Sequence, residues 1–330
     1  MTINILLLLA GLALLVKGGE HFVSAAVRIA AQLRMPRVVI GSTLVSLATT
    51  MPELSVSLMA GAKGESGLAL GNAVGSCICN IGLILGISAV IRHVDIHAGA
   101  LRRPLLAMFG FGLLLFLMTL DLRLSHRQGI VLLAGGLAYF FYDFAHHAAD
   151  KKPADVVEAL AIEVTVARPG RWFHGKVGSI AQFLIAGAIV VAGSRLLVGA
   201  AVSLASALGI PSIIIGLTII AVGTSLPELI TAVTSARRNV SDLAIGNVLG
   251  ANIANLTFIV GAAAILSDVT MRRATQVLNL VAMLAMFGLL SWMFLNDRKV
   301  SRAEGVTLLV AYSVYLCSLV FLTAALKNSL

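Results

Sequence analysis

The chain has 330 residues, of which 59% are hydrophobic and only 12% are charged. A soluble protein carries about 25% charged residues, so this composition excludes a soluble globular fold and indicates a polytopic membrane protein. The net charge of +9 is no sign of nucleic acid binding, because the basic residues lie mostly between apolar runs, where they orient a membrane protein. The lipid bilayer is therefore the first predicted partner, and no nucleic acid partner is expected.

Ten apolar runs of about 20 residues follow one another along the chain, and runs of this length can cross a bilayer. We number them spans 1 to 10, and they cover residues 3–27, 38–61, 67–91, 104–120, 128–148, 178–207, 212–236, 242–266, 275–295 and 303–326. The first run lacks the basic segment of a signal peptide, so we expect it to be a span. The three cysteines all lie in spans, and their odd number argues against a disulfide framework.

An internal repeat relates the two halves of the chain. When the sequence is shifted by 175 residues, "TTMPEL" at 49–54 falls on "TSLPEL" at 224–229. Residues 41–91 and 216–266 share 17 identities in 51 positions without a gap. A slip of one residue then aligns "SHRQG" at 125–129 with "SRAEG" at 301–305. Each half therefore holds five of the ten spans.

Because five is an odd number, the second half enters the membrane from the opposite side, as in many secondary transporters. The sequence thus predicts an all-α polytopic membrane protein with ten transmembrane helices in two inverted five-helix repeats. We place the first half at 1–148, a connecting loop at 149–177, and the second half at 178–330. Of the 24 Lys and Arg residues, 16 fall on one side and 6 on the other. This asymmetry predicts both termini outside and the connecting loop in the cytoplasm, with the protein in the cytoplasmic (inner) membrane.

Two glutamates stand at equivalent positions deep in apolar spans, Glu53 in span 2 and Glu228 in span 7. A carboxylate in hydrocarbon is costly and is usually functional. The pseudo-two-fold axis of an inverted repeat brings equivalent positions together near the midplane. Two carboxylates meeting in a low dielectric repel each other, so they need a cation between them or a shared proton. The pair predicts a cation site whose ligands also titrate.

A proline precedes each glutamate, Pro52 in span 2 and Pro227 in span 7. Proline removes a backbone donor and frees carbonyls one turn earlier, here around residues 48–49 and 223–224. Such carbonyls are hard oxygen ligands that suit Ca²⁺ and Na⁺. Hydroxyl oxygens lie beside them on four side chains, Thr49, Thr50, Thr224 and Ser225. The alternative is that these hydroxyls only satisfy the interrupted helix backbone.

The neighbouring spans carry asparagines with a matching spacing of eight residues, Asn72 and Asn80 in span 3 and Asn247 and Asn255 in span 8. Eight residues are a little over two helical turns, so each pair lies roughly on one helix face. We expect Asn72 and Asn247, near the span starts, to hydrogen-bond between helices. The deeper Asn80 and Asn255 are predicted to coordinate a cation.

Other classes of protein fit less well. The chain has no nucleotide-binding or hydrolase motif, so an ion gradient has to drive transport. An intramembrane metalloenzyme would need a histidine near the carboxylates, and the four motif-bearing spans contain none. A passive cation channel stays open as an alternative, although inverted repeats with broken helices fit a carrier better.

The paired "TTMPEL" and "TSLPEL" segments, with "GNAVGSCICN" at 71–80 and "GNVLGANIAN" at 246–255, resemble the alpha repeats of the calcium/cation antiporter superfamily. The resemblance covers both halves, and the short prokaryotic sodium/calcium exchanger is the most similar type. It implies the sodium/calcium exchanger fold, with spans 2, 3, 7 and 8 holding the ions and spans 1 and 6 sliding across them. It also implies an antiporter rather than an enzyme, without a cofactor.

The resemblance further implies roles for individual residues. Glu53 and Glu228 would be shared ligands of Ca²⁺ and Na⁺, and Thr49 and Thr224 would give backbone oxygens to Ca²⁺. Sodium or water positions would be lined by a set of hydroxyl and amide side chains, namely Thr50, Ser225, Ser76, Asn80 and Asn255.

The chain departs from the family pattern at a few positions. Cys77 and Cys79 replace an asparagine and a small residue, and Ala48 replaces a glycine. Ala251 and Asn255 stand where relatives often have serine and aspartate. The expected function is exchange of Ca²⁺ for Na⁺. The alternative is exchange of Ca²⁺ or another divalent cation for H⁺, because two glutamates can also take up protons.

Overall fold

The computed structural model describes residues 2–62, 66–95, 98–149, 175–208, 221–270, 273–297 and 299–328. Long helices dominate it, and eight of them are long and apolar enough to cross a membrane. A ninth crossing arises if Arg37–Thr49 and Met51–Leu58, bent by 41° at Thr50, count as one span. Span 7 is described only from Ala221 onward, and the predicted residues 212–220 lie outside the described residues.

The helices follow the predicted order of spans. Their bounds are Thr2–Leu33 for span 1, Arg37–Ile40, Gly41–Val45, Ser46–Thr49 and Met51–Ala62 for span 2, Ser66–Cys79, Asn80–Leu85 and Gly86–Ile91 for span 3, Ala98–Met118 for span 4, His126–Ala149 for span 5, Gly175–Ala207 for span 6, Ala221–Thr224 and Leu226–Arg237 for span 7, Ser241–Ala254, Asn255–Ile259 and Val260–Leu266 for span 8, Arg273–Asp297 for span 9, and Arg302–Asn328 for span 10. Residues 150–174 of the predicted connecting loop lie outside the described residues.

Spans 1 and 7 end in the same local structure. Arg34 and Asn239 have φ values of 55° and 61°. In each case the next residue donates its backbone N–H to a carbonyl five residues earlier, from Met35 to Ala30 and from Val240 to Ser235. This left-handed turn satisfies carbonyls that the end of a helix leaves without partners. It lets span 2 and span 8 start within a few residues of the preceding helix.

Two short antiparallel ladders connect the halves of the chain. Strand β1 (Val94–Asp95) pairs with β4 (Lys299–Val300), and β2 (Arg123–Leu124) pairs with β3 (Val269–Thr270). The repeat relates β1 to β3 and β2 to β4, so the two ladders are equivalent. Spans 4 to 9 separate the first pair of strands and spans 5 to 8 the second. Both numbers are even, so a ten-span arrangement places the two strands of each ladder on one side of the membrane.

Contacts between helices repeat the same symmetry. Gly86 in span 3 packs against Gly305 in span 10, and the equivalent Gly261 in span 8 packs against Gly129 in span 5. Because glycine has no side chain, the helix backbones come together at both places. The two halves are therefore intertwined, and each supplies helices that pack on the core spans of the other.

Spans 3 and 8 form the centre of the molecule. In their most apolar stretches 72% and 83% of the residues are buried, compared with 22–39% in the other six helices that qualify as candidate spans. Span 8 also meets span 2 backbone to backbone, since a Cβ added to Gly250 would lie 2.2 Å from the carbonyl oxygen of Ser42. The residues that carry the predicted chemistry thus lie on the helices most shielded from lipid.

We predict that Gly250→Ala separates spans 2 and 8 and lowers the free energy of unfolding by about 1–3 kcal/mol, as overpacking in a core does. Gly110→Ala is the matched control, because a Cβ at Gly110 meets no atom of the described residues within 4 Å. Thermal unfolding of both variants in detergent measures the difference. Equal stability of the two variants would contradict this packing.

Candidate functional site

Both motif-bearing helices are interrupted just before their glutamate. Thr50 has φ −81° and ψ 2°, and Ser225 has φ −89° and ψ 11°, so neither residue continues the preceding helix. New helices start at Met51 and Leu226. Pro52 and Pro227 occupy the second position of these helices, where no intrahelical acceptor exists for the N–H that proline lacks. The prolines therefore fix the start of a new helix, and each span is a broken helix.

The interruption places both glutamates in the first turn of a helix. The N-terminal end of a helix carries partial positive charge, which favours a carboxylate there. Glu53 and Glu228 are 1% and 0% exposed, and their carboxylates lie close enough to interact electrostatically. The structure therefore brings together the two acids that the repeat predicted to converge.

Most of the oxygen atoms of these carboxylates lack protein partners. Ser225 donates its hydroxyl to Oε1 of Glu53 at 3.1 Å, and Ser76 Oγ lies 3.4 Å from Ser225 Oγ. Among the described residues, no group meets hydrogen-bond geometry to Oε2 of Glu53 or to either oxygen of Glu228, although the Thr49 side chain lies beside Glu228. No described Lys, Arg or His side chain forms an ion pair with either acid. The two buried carboxylates therefore keep oxygen atoms with little or no hydrogen bonding, which can bind a cation or a proton.

The hydroxyl residues divide into two groups. Thr50 donates to the carbonyl oxygen of Ser46 at 2.8 Å, one turn earlier in its own helix. This contact matches the alternative that the hydroxyl satisfies the interrupted backbone. Thr49 lies beside Glu228 and also donates to Oδ1 of Asn247 in span 8 at 3.2 Å. Thr224 is 9% exposed and ends the short helix before the interruption in span 7.

One residue at the interruption was not predicted from the sequence. Ser194 in span 6 donates its hydroxyl to the carbonyl oxygen of Gly223 at 2.9 Å. Gly223 lies four residues before Pro227, at the interruption, so its carbonyl faces a residue that has no N–H to donate. No motif marks Ser194 in the sequence, because it faces the site from another helix.

The four predicted asparagines behave differently from one another. Asn72 donates to Ser57 Oγ at 3.0 Å and to the carbonyl oxygen of Glu53 at 3.3 Å, and Asn247 accepts from Thr49. The prediction that these two bond between helices is confirmed. Asn80 and Asn255 are 1% and 0% exposed, and each is the first residue of a π-helical segment. Single π-helical turns are frequent at functional sites.

Both deeper asparagines keep free amide oxygens. Asn80 donates its NH₂ group to Oδ1 of Asn252 at 2.9 Å, and its own Oδ1 has no partner among the described residues. Neither polar atom of the Asn255 amide has a hydrogen-bond partner there. Asn252 is a further residue that sequence reasoning missed. The shift of 175 residues places it opposite Cys77, which the motif comparison had noted only as a departure.

The potential metal ligands around Glu53 and Glu228 are carboxylate, hydroxyl and amide oxygens. Among the described residues, no group of three or more His, Cys, Asp or Glu side chains is placed to hold a metal ion. Hard oxygen donors with two negative charges suit Ca²⁺ and Na⁺ better than a transition metal.

Comparison with known proteins gives a consistent picture over nearly the whole chain. The family model described as sodium/calcium exchanger protein matches residues 3–144 and 178–321. The chain is 30% identical to the sodium/calcium exchanger MaX1 of Methanosarcina acetivorans, covering 97% of this chain and 99% of that protein. It is 34% identical to the inner membrane protein YrbG of Escherichia coli, covering 97% and 98% of the two chains.

A solved structure of the sodium-calcium exchanger NCX_Mj superimposes with a TM-score of 0.82 at 30% identity, covering 97% of this chain and all of that one. The predicted all-helical membrane fold is confirmed, and ten transmembrane helices are compatible with it. A transporter rather than an enzyme is confirmed as well. The chain therefore is a multi-pass membrane protein of the sodium/calcium exchanger family.

Proposed function

We propose that the protein is a secondary antiporter that exchanges Ca²⁺ for Na⁺ at a site between Glu53 and Glu228. The observation that carries this proposal is the pair of buried carboxylates, brought together by inverted halves without a basic partner among the described residues. The names of MaX1 and NCX_Mj, both sodium/calcium exchangers, support the same two ions.

The charge of the pair explains why the two ions compete. Two negative charges are balanced by one Ca²⁺ or by two or more Na⁺, so binding of one ion excludes the other. An empty site keeps two like charges in a low dielectric, where their repulsion is strong. An empty site therefore switches slowly between the state open to one side of the membrane and the state open to the other. This slow switching couples the movement of one ion to that of the other.

The other predicted ligands complete the proposal. The backbone oxygens of Thr49 and Thr224 join the carboxylates around Ca²⁺. A set of side chains lines sodium or water positions, namely Thr50, Ser225, Ser76, Asn80 and Asn255. The free amide oxygens of Asn80 and Asn255 and the contact between Ser225 and Glu53 support this assignment. The site holds transported ions and needs no cofactor.

Alternating access is proposed to come from spans 1 and 6 moving together against the core. The two helices meet backbone to backbone at Gly11 and Gly193, and Phe22 stacks on Phe183 with ring centroids 4.5 Å apart. Span 1 also contacts the core where Gly19 packs on Ile230 in span 7. Close pairing of spans 1 and 6 supports movement as one unit.

The orientation is proposed from charge. With both termini outside and residues 149–177 in the cytoplasm, the Lys and Arg residues are concentrated on the inner side. Residues 1–148 and 178–330 then form the two inverted halves in the cytoplasmic membrane. The similarity to YrbG, which is named an inner membrane protein, supports this location.

Exchange of Ca²⁺ for H⁺ is the second candidate. The sparse hydrogen bonding of the two carboxylates favours it, because a proton can bind to either acid in place of sodium. In this reading Glu53 and Glu228 are the titrating groups.

We predict that Glu53→Gln and Glu228→Gln each abolish Ca²⁺ transport while the protein keeps its fold, because the substitution removes charge but keeps size. Uptake of ⁴⁵Ca²⁺ into proteoliposomes measures the effect. Glu20→Gln is the control and should keep transport, since Glu20 forms only an exposed pair with Lys17. Full transport by either variant would show that the glutamate replaced in it is not required for transport.

A second prediction concerns the counter-ion. Proteoliposomes of the purified protein should take up Ca²⁺ when an outward Na⁺ gradient is imposed at constant pH. A pH gradient without Na⁺ should give no more uptake than liposomes without protein. Uptake driven by pH alone would instead support the exchange of Ca²⁺ for H⁺.

A further inference from the structure

A row of three buried side chains leads from span 4 into the candidate site. Met108 in span 4, Asn252 in span 8 and Asn80 in span 3 are 0%, 0% and 1% exposed. Asn252 donates its NH₂ group to Met108 Sδ at 3.4 Å, and Asn80 donates its NH₂ group to Asn252 Oδ1 at 2.9 Å. The only amide atom of this row without a hydrogen-bond partner among the described residues is Oδ1 of Asn80.

The chemistry of the thioether sets the direction of both amides. A thioether sulfur accepts hydrogen bonds but cannot donate them. Met108 therefore selects the NH₂ side of the Asn252 amide, which leaves Oδ1 of Asn252 to face Asn80. An oxygen in that position requires a donor, so Asn80 presents its NH₂ group to it. The amide oxygen of Asn80 lies opposite this NH₂ group and has no hydrogen-bond partner among the described residues.

The position of Asn80 on its helix relates that oxygen to the site. Ser76, one turn earlier, lies 3.4 Å from the hydroxyl of Ser225, which itself donates to Glu53. Residues four apart lie on the same helix face. Asn80 therefore continues the face of span 3 that is directed at Glu53 and Ser225.

In the other half of the repeat, a cysteine stands in the place that corresponds to Asn252. The shift of 175 residues relates Asn80 to Asn255 and Asn252 to Cys77. The Cys77 thiol lies close to the Asn255 side chain and is directed at the backbone carbonyl of Asn252 at 3.7 Å. A thiol is only a weak donor and a weak acceptor. Among the described residues, this thiol is the one side chain that interacts with the Asn255 amide, and no stronger donor or acceptor fixes the orientation of that amide.

From these contacts we infer that Asn252 is a positioning residue, which fixes the amide of Asn80 so that its oxygen faces the transported cation. Cys77 holds the corresponding place beside Asn255 but does not fix that amide. The two amide ligands are therefore unequal, and the one from span 3 is pre-organised. This inference rests on the proposed function, because it requires Asn80 to be an ion ligand.

The test is a double-mutant cycle on Ca²⁺ uptake into proteoliposomes. Asn252→Leu leaves the Asn80 amide without its acceptor, and we expect the KM for Ca²⁺ to rise about tenfold, as for loss of one buried hydrogen bond. The maximal rate should change by less than about twofold. Asn80→Ala should raise KM at least as much, and the double variant Asn80→Ala, Asn252→Leu should be no worse than Asn80→Ala alone.

Milder variants keep the test valid if Asn252→Leu does not fold. Met108→Leu preserves size but removes the acceptor, and it should raise the KM about threefold. Met293→Leu is the matched control and should leave the KM unchanged. Met293 is equally buried, but it lies one turn from the end of span 9 and outside this row of side chains. Cys77→Asn should give Asn255 a true partner and lower the KM about threefold, whereas Cys317→Ser, at an exposed position, should not.

The outcomes separate this inference from the proposed function. If Glu53→Gln abolishes uptake but Asn252→Leu leaves the KM unchanged, the cation site stands and the positioning role is wrong. If the effects of Asn252→Leu and Asn80→Ala multiply in the double variant, the two residues act independently and the positioning role is also wrong. If Glu53→Gln transports normally, the proposed function fails and the inference falls with it.

Discussion

The main constraint on this structure is the mutual repulsion of two carboxylates that lie close together and away from water. Glu53 and Glu228 are both buried, and each lies in the first turn of a helix that starts after an interruption. The positive ends of these helices offset part of the charge, but no described basic side chain neutralises the rest. The remaining charge favours a bound cation or proton, which is why we propose the pair as the transport site.

Inverted symmetry brings these acids together, and small departures from it make the two sides of the site unequal. The glycine contacts and the two β-ladders repeat faithfully between the halves. At the site, however, Ser225 reaches Glu53 while Thr50 turns back to its own helix. Asn80 is held by Asn252, whereas Asn255 has only a thiol beside it. Under the proposed function, such an unequal pair of half-sites would let ions of different charge prefer different positions.

Much of this arrangement could be predicted from the sequence, because the internal repeat allows one half of the chain to be compared with the other. The repeated Pro and Glu indicated the broken helices and the acid pair, and the asparagine spacing indicated the amides. Ser194 and Met108 could not be found in this way, because they reach the site from other helices and carry no local signal. The role of Asn252 was missed because its repeat partner is Cys77, so the pattern concealed a contact that crosses between the halves. The π-helical segments at Asn80 and Asn255 also have no periodic signature in the sequence.

The most direct test of the central claim is anomalous diffraction from crystals of the protein grown with Ca²⁺. We expect one Ca²⁺ peak between the two halves, within about 2.3–2.6 Å of carboxylate oxygens from both Glu53 and Glu228. Loss of this peak when excess Na⁺ is added at a constant Ca²⁺ concentration would show that the ions compete for one site. A Ca²⁺ peak bound to a single glutamate, or two separate peaks, would contradict the joint site.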